Sequence, residues 1–152
     1  MRKVAVIGSS GAIGRAFVDH YINDLSINSI FSFSRSSIGI DNNKVKHFLI
    51  DIENESSIKN AAKSVEETNF DEIIIASGLL HTNEFGPEKS IKDLKADNIL
   101  KVLNVNTVGP AIIGKYFLPL LNKDNKSVMA FLSARVGSIS ENKLGGWYAY
   151  RA

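Results

Sequence analysis

The sequence predicts an α/β fold built on one doubly wound parallel sheet, in the strand order 3-2-1-4-5. Two observations predict it. Five short apolar runs rich in branched side chains are spread over 152 residues, and the first segments between them repeat their apolar residues at helical spacing. Strands joined by crossovers long enough for a helix run parallel, and each crossover packs back on the sheet with the same hand.

The five runs are residues 3–7, 29–33, 45–50, 72–76 and 127–132. A helical pattern over 11–21 places Ala12, Ile13, Ala16, Phe17 and Tyr21 on one face. A second, over 56–65, groups Ile58, Ala61, Ala62 and Val65. Polar turns at 41–44 and 122–126 lie inside the domain, and no repeat divides the chain, so residues 1–152 are expected to form one unit. Residues 79–90 are longer than a plain strand-to-helix loop and follow the carboxyl end of a strand, where open parallel sheets bind ligands. This loop is expected to shape a substrate pocket. The longest apolar stretch, 99–121, is interrupted by Lys101, Asn104, Asn106, Gly109, Pro110 and Lys115, which argues against a membrane span.

Composition narrows the function. At 44% hydrophobic and 22% charged residues the chain can close a core. Its net charge of +2 is spread without a basic stripe, which argues against nucleic acid as a partner. Cysteine is absent, so a disulfide framework, a thiolate nucleophile and Cys-ligated zinc are excluded, and a reducing, cytoplasmic setting is expected. His20, His47 and His81 form no i, i+4 pair, and no metal is expected. His81 lies on the long loop as a candidate substrate contact, Trp147 is a candidate wall, and Glu84, Glu88 and Asp93 are expected to be solvated.

The chemistry starts at Gly8-Ser9-Ser10-Gly11-Ala12-Ile13-Gly14, between the first strand and the first helix. Gly8 permits the tight turn, Gly11 lets backbone approach a pyrophosphate, and Gly14 lets helix and strand pack closely. An anion then faces the helix N-terminus, where unpaired amides favour negative charge. The second strand runs into Ser34-Arg35-Ser36 with no acid after it. A carboxylate there would serve the ribose of NAD; Arg35 and two hydroxyls would attract a 2′-phosphate, so NADP is the expected cofactor.

These residues resemble the short-chain dehydrogenase/reductase family, particularly the small carbonyl-reductase-like branch that includes C-factor and sniffer-type proteins. The resemblance implies a Rossmann-like fold over the whole chain. It makes Gly8, Ser9, Ser10, Gly11, Ile13, Gly14, Ser34, Arg35, Ser36, Asp51, Ile52, Ala76, Ser77 and Gly78 the cofactor residues, with Asp51-Ile52 meeting the adenine. Ala76-Ser77-Gly78 stands where the family has Asn-Asn-Ala-Gly. The glycine spacing, G-x-x-G-x-x-G, is that of the family's extended and atypical branches.

Val105-Asn106-Thr107-Val108-Gly109-Pro110 is similar to the segment carrying the family's catalytic-site asparagine, inside a helix broken at that point. Pro110 cannot donate to the carbonyl one turn back, so the Asn106 carbonyl is expected to take a relay water. Phe131-Leu132-Ser133-Ala134 resembles the family's Ser-Ser segment, with Ala134 in place of the second serine. The carbonyl-holding duty goes to Ser133, with Ser138 as the alternative. Trp147-Tyr148-Ala149-Tyr150 resembles the start of Tyr-x-x-x-Lys, which implies Tyr150 as proton donor. The lysine would lie two positions beyond Ala152, and Arg151 would point elsewhere. A sheet without the family's C-terminal strands is expected to leave an edge and a face uncovered, in a chain catalytically weak but still able to bind the dinucleotide. Implied for the complete protein are reduction of a small carbonyl compound and pairing as a homodimer or homotetramer. The alternative is a non-catalytic dinucleotide-binding or signalling protein of the same fold.

Overall fold

The computed structural model describes residues 2–152. Five strands, β1 (Arg2–Ile7), β2 (Ile27–Ser34), β3 (Val45–Leu49), β4 (Glu72–Ile75) and β5 (Val128–Phe131), form one sheet in the order β3-β2-β1-β4-β5. Every pairing is parallel. β1 is central, and Val4, Ala5, Val6 and Ile7 are fully buried, because a parallel strand covered on both faces has no solvent side to keep polar.

Helix α1 (Ala12–Asn23) covers one face. Helices α2 (Glu55–Lys63) and α4 (Gly109–Phe117) cover the other, with α3 (Ala96–Leu103) leading into α4 and the short α5 (Tyr148–Arg151) beside α3. α2 starts where the Asn54 side chain accepts the Ser57 N–H at 3.1 Å. The core between α2, α4 and the sheet is aromatic: Phe33 meets Phe117 edge-on at 5.3 Å and stacks on Phe48 at 5.2 Å.

Three sequence expectations change. β2 begins two residues earlier than its apolar run, at Ile27. α1 buries Gly14, Val18 and Tyr21, an i, i+4, i+7 stripe, whereas Ala12, Ile13 and Ala16 are exposed. The sheet is approached so closely at Gly14 that this residue, not its larger neighbours, sets which face turns inward. Finally, the helix at Asn106 is not broken. α3 continues through a π turn, Asn104–Val108, in which the Gly109 N–H reaches the Asn104 carbonyl, and α4 follows with Pro110 in its first turn. A proline there removes a donor that the wider turn does not use.

The amino ends of the strands are closed by polar pairs. Glu72 accepts from Tyr21 Oη at 2.7 Å and pairs with Arg2, while Asp71 accepts the Lys3 N–H at 2.8 Å. Burial, reinforced by Glu72, pushes the Tyr21 phenol up from its ordinary value. The carboxyl ends are open, and the clefts lie there. Among the described residues β5 pairs with β4 alone, and Val128 and Phe131 remain partly exposed. Among the described residues no helix is long and apolar enough to cross a membrane.

Candidate functional site

The loop after β1 is shaped by two contacts that only hydrogen side chains allow. Gly8 has φ +88°, and a Cβ on it would lie 2.8 Å from Ser77 N. A Cβ on Gly14 would lie 2.2 Å from Gly8 O, inside any real contact. The start of α1 is therefore pressed against the turn that leaves β1. The first N–H groups of α1 have no intrahelical partner, Gly11 at the N-cap offers no side chain to cap them, and no acid occupies the first turn. This is an open, electropositive helix start facing a cleft.

The cleft holds about 690 Å³. Gly8, Ser10, Gly11, Ser34, Arg35, Asp51, Ile52, Ala76, Ser77 and Gly78 line it, so ten of the fourteen predicted cofactor residues meet at one place. Arg35 is exposed and pairs with no carboxylate among the described residues. Asp51 accepts the Glu53 N–H at 3.1 Å. Four of the fourteen are elsewhere. Ile13 faces the adjoining cleft, Gly14 lies beneath Gly8, and Ser36 contributes its carbonyl to Ser34 Oγ at 2.7 Å.

Ser9 is the clearest departure. It is fully buried, with its N–H and hydroxyl both donating to Phe33 O. Ser9 Oγ also lies 2.8 Å from Ser32 Oγ, which lies 3.3 Å from His47 Nδ1. A carbonyl only accepts, so the Ser9 proton goes to Phe33. Ser32 must then donate to Ser9, and His47 Nδ1–H to Ser32. That leaves His47 Nε2 bare, and this atom is buried without a partner. A proton there would create a desolvated charge, and burial accordingly holds the imidazole below its ordinary value. Ser9 therefore braces the loop from behind and offers nothing to a ligand.

A second cleft, of about 330 Å³, shares Ala76, Ser77 and Gly78 with the first. It brings together Asn106, Ser133 and Tyr150, with Ala134 and Arg151 beside them. Ser138 is outside it, half-buried and paired with Ser140 Oγ at 3.2 Å. The Asn106 amide clasps Leu79: Oδ1 accepts the Leu79 N–H at 2.7 Å and Nδ2 donates to Leu79 O at 2.9 Å. Arg151 spends its guanidinium on backbone carbonyls, with Nε donating to Gly146 at 2.8 Å, a second contact to Gly145 at 3.2 Å, and a third to Val136.

The loop over residues 79–90 borders both clefts, with Leu79, His81, Thr82, Asn83 and Glu84 on the larger and Leu80 on the smaller. Glu88 departs from expectation. Instead of being solvated it is only 7% exposed, lying against the start of α5. Its neighbours there are not local in sequence, so no spacing signalled its burial. Neither Glu53 nor Lys101 was expected at the cleft; they form an ion pair of 2.6 Å among the residues lining the larger one. The buried serines did leave a signal, since Ser32 and Ser34 alternate with phenylalanines on a strand otherwise fit for the interior. Among the described residues no three metal-ligating side chains gather.

No family model matches the chain. Among curated proteins it is 29% identical over 104 residues to a 1-hydroxy-2-glutathionyl-2-methyl-3-butene dehydrogenase of Rhodococcus sp. (strain AD45), covering 67% of this chain and 42% of that protein. It is also 29% identical over 126 residues to a UDP-glucose 4-epimerase of Rickettsia bellii, covering 74% of this chain and 36% of that one. The chain thus spans less than half the length of these curated relatives. Among solved structures, the NADPH-bound carbonyl reductase from chicken fatty liver superposes with a TM-score of 0.85 at 22% identity, over 99% of this chain and 65% of that one. A short chain dehydrogenase family protein of Francisella tularensis subsp. tularensis SCHU S4 gives 0.80 at 20%, over 99% and 57%. A carbonyl reductase of Pseudomonas aeruginosa PAO1 gives 0.82 at 15%, over 99% and 70%. The fold is that of the short-chain dehydrogenases and reductases.

Two measurements check the loop. Gly14→Ala should cost roughly 1–3 kcal/mol in denaturant melts, the usual cost of overpacking; an unchanged midpoint would contradict the contact with Gly8. His47 should titrate, by NMR, with a midpoint below about 6.5, the free-histidine value. The unfolded chain then takes up the proton first, so this part of the stability is present above that pH and is lost as the pH falls through the folded midpoint. His47→Gln should flatten that acid-side loss, and a midpoint at or above the free value would rule out the desolvated, neutral ring.

Proposed function

We propose that the chain is the dinucleotide-binding and proton-donating part of an NADP-dependent short-chain dehydrogenase/reductase that reduces a small carbonyl compound. One observation carries this: an uncapped helix start, tightened by Gly8 and Gly14, opens on a cleft that adjoins a second cleft lined by Asn106, Ser133 and Tyr150. A diphosphate fits there, because the loop leaves backbone where side chains would stand and presents unpaired N–H groups. Arg35, beside Ser34 at the rim, would take a 2′-phosphate as a charge-assisted partner. Asp51 and Ile52 would border the adenine. The NADPH bound by the similar chicken carbonyl reductase supports the same class of coenzyme.

The bound coenzyme would supply the hydride. Ser133 would hold the carbonyl oxygen by a hydrogen bond that strengthens as negative charge builds on it. Tyr150 would hold the proton at its phenolic oxygen and release it to that oxygen. Asn106, whose amide is committed to Leu79, would keep its backbone carbonyl for a relay water. The same proposal makes the complete protein a cytoplasmic homodimer or homotetramer acting on a small molecule, with neither nucleic acid nor membrane as partner.

A second proposal, a dinucleotide-binding protein without turnover, draws support from Ala134 and Ala76-Ser77 in the cleft and from an Arg151 tied to three backbone carbonyls. In the full-length protein, Tyr150→Phe should lower turnover by about 10²–10⁴-fold, the usual worth of a positioned acid, and leave NADPH affinity unchanged. NADPH binding with no oxidation across a panel of aldehydes and ketones would favour the second proposal. Arg35→Ala should weaken NADPH by about tenfold or more, as expected for loss of a charged contact, and barely affect NADH. Equal losses would rule out the assignment of Arg35.

A further inference from the structure

We propose that Glu88 is the positioning residue of Tyr150, tying the long loop after β4 to the start of α5 and so fixing where the phenol stands. This rests on Tyr150 being the proton donor.

α5 is four residues long, too short to hold itself. Its entry is strained as well: Gly145, Gly146 and Trp147 are successively left-handed, at φ 65°, 69° and 54°, and Trp147 has a Cβ that disfavours this region. Arg151 ties α5 to the carbonyls of Val136, Gly145 and Gly146, and Glu88 holds it from outside, through its main-chain carbonyl and its carboxylate. The Trp147 N–H donates to Glu88 O at 2.6 Å. The Ala149 N–H, adjacent to Tyr150, points to Glu88 Oε2 at 3.4 Å. A Cβ on Gly146 would stand 3.0 Å from Glu88 O, so the two backbones are in close contact.

A carboxylate is costly to bury unless it is partnered, yet Glu88 is 7% exposed. The partner in view is the α5 backbone. The same loop is fastened at its other end, where Asn106 takes both backbone groups of Leu79. It therefore runs from Asn106, past both clefts, to the helix of Tyr150, and Glu88 is the fastening on the tyrosine side. Loss of that fastening should let Tyr150 drift without disturbing the phosphate loop, which belongs to β1 and α1.

The chain has one tryptophan, Trp147, at the N-cap of α5; its N–H goes to the Glu88 main-chain carbonyl, so its ring reports on the helix that the Glu88 carboxylate reaches through Ala149. In the full-length protein, Glu88→Ala should raise the acrylamide quenching of the already 38% exposed Trp147 as α5 loosens. It should lower kcat about 10- to 100-fold, the scale of a small misplacement, with KM for NADPH within about twofold. Glu88→Gln keeps an acceptor of the same reach and should restore both signals, whereas Glu88→Met, of similar bulk but without that acceptor, should stay impaired. Glu88→Asp, with a shorter reach, should fall between them and carries the test if the alanine variant does not fold. Wild-type quenching and kcat in Glu88→Ala would overturn the proposal, as would a glutamine variant as impaired as the alanine one. If the unmodified protein binds NADPH but reduces no carbonyl, the proton-donor role of Tyr150 fails on its own. Quenching then still decides whether Glu88 holds the helix, and unchanged quenching would overturn that too.

Discussion

The contact between Gly14 and the Gly8 carbonyl governs the upper end of the molecule. It sets how closely α1 approaches β1, and through that the stripe Gly14, Val18, Tyr21 that turns toward the sheet. It also brings the uncapped N–H groups of α1 to the mouth of the larger cleft. Ser9 then has no room in front of the loop and turns back into the sheet, where Ser32 and His47 complete its hydrogen bonding. A turn that looks like a row of ligands in sequence is thus part cleft lining and part internal brace.

The two ends of the sheet divide the work. At the amino ends, Glu72 takes Arg2 and the Tyr21 hydroxyl, and Asp71 takes the Lys3 N–H and the Asn122 amide. At the carboxyl ends, the parallel strands stop with their loops splayed to either side of β1 and β4, and both clefts share residues 76–78. The end of β4 is therefore the hinge of the geometry: Ser77 meets Gly8 on one side, and Asn106 reaches the next residues on the other.

Much of this was legible in sequence because it rests on local periodicity. The five strands and their order followed from apolar runs and crossover lengths, and ten cofactor candidates met because they sit at strand ends, where topology alone places them. What escaped depended on contacts distant in the chain. The apolar side chains of α1 pointed to a face that Gly14 overrides. The proline in 105–110 pointed to a break, whereas the helix absorbs it in a π turn. Glu88 read as a surface acid because the backbone that receives it lies 61 residues away. Ser133 and Ser138 were both open on spacing, and only the three-dimensional path of residues 133–146 puts one in the cleft with Tyr150 and the other outside it.

The left-handed run at Gly145, Gly146 and Trp147 constrains how this region could be rebuilt. Branched residues would be poorly tolerated there, whereas the preceding stretch carries no such backbone demand and leaves Ile139 and Leu144 almost wholly exposed, at 95% and 96%. A graft that exchanges the stretch should thus join the host after Gly137 and before Gly145, so that the reversal feeding α5 is inherited intact with the scaffold.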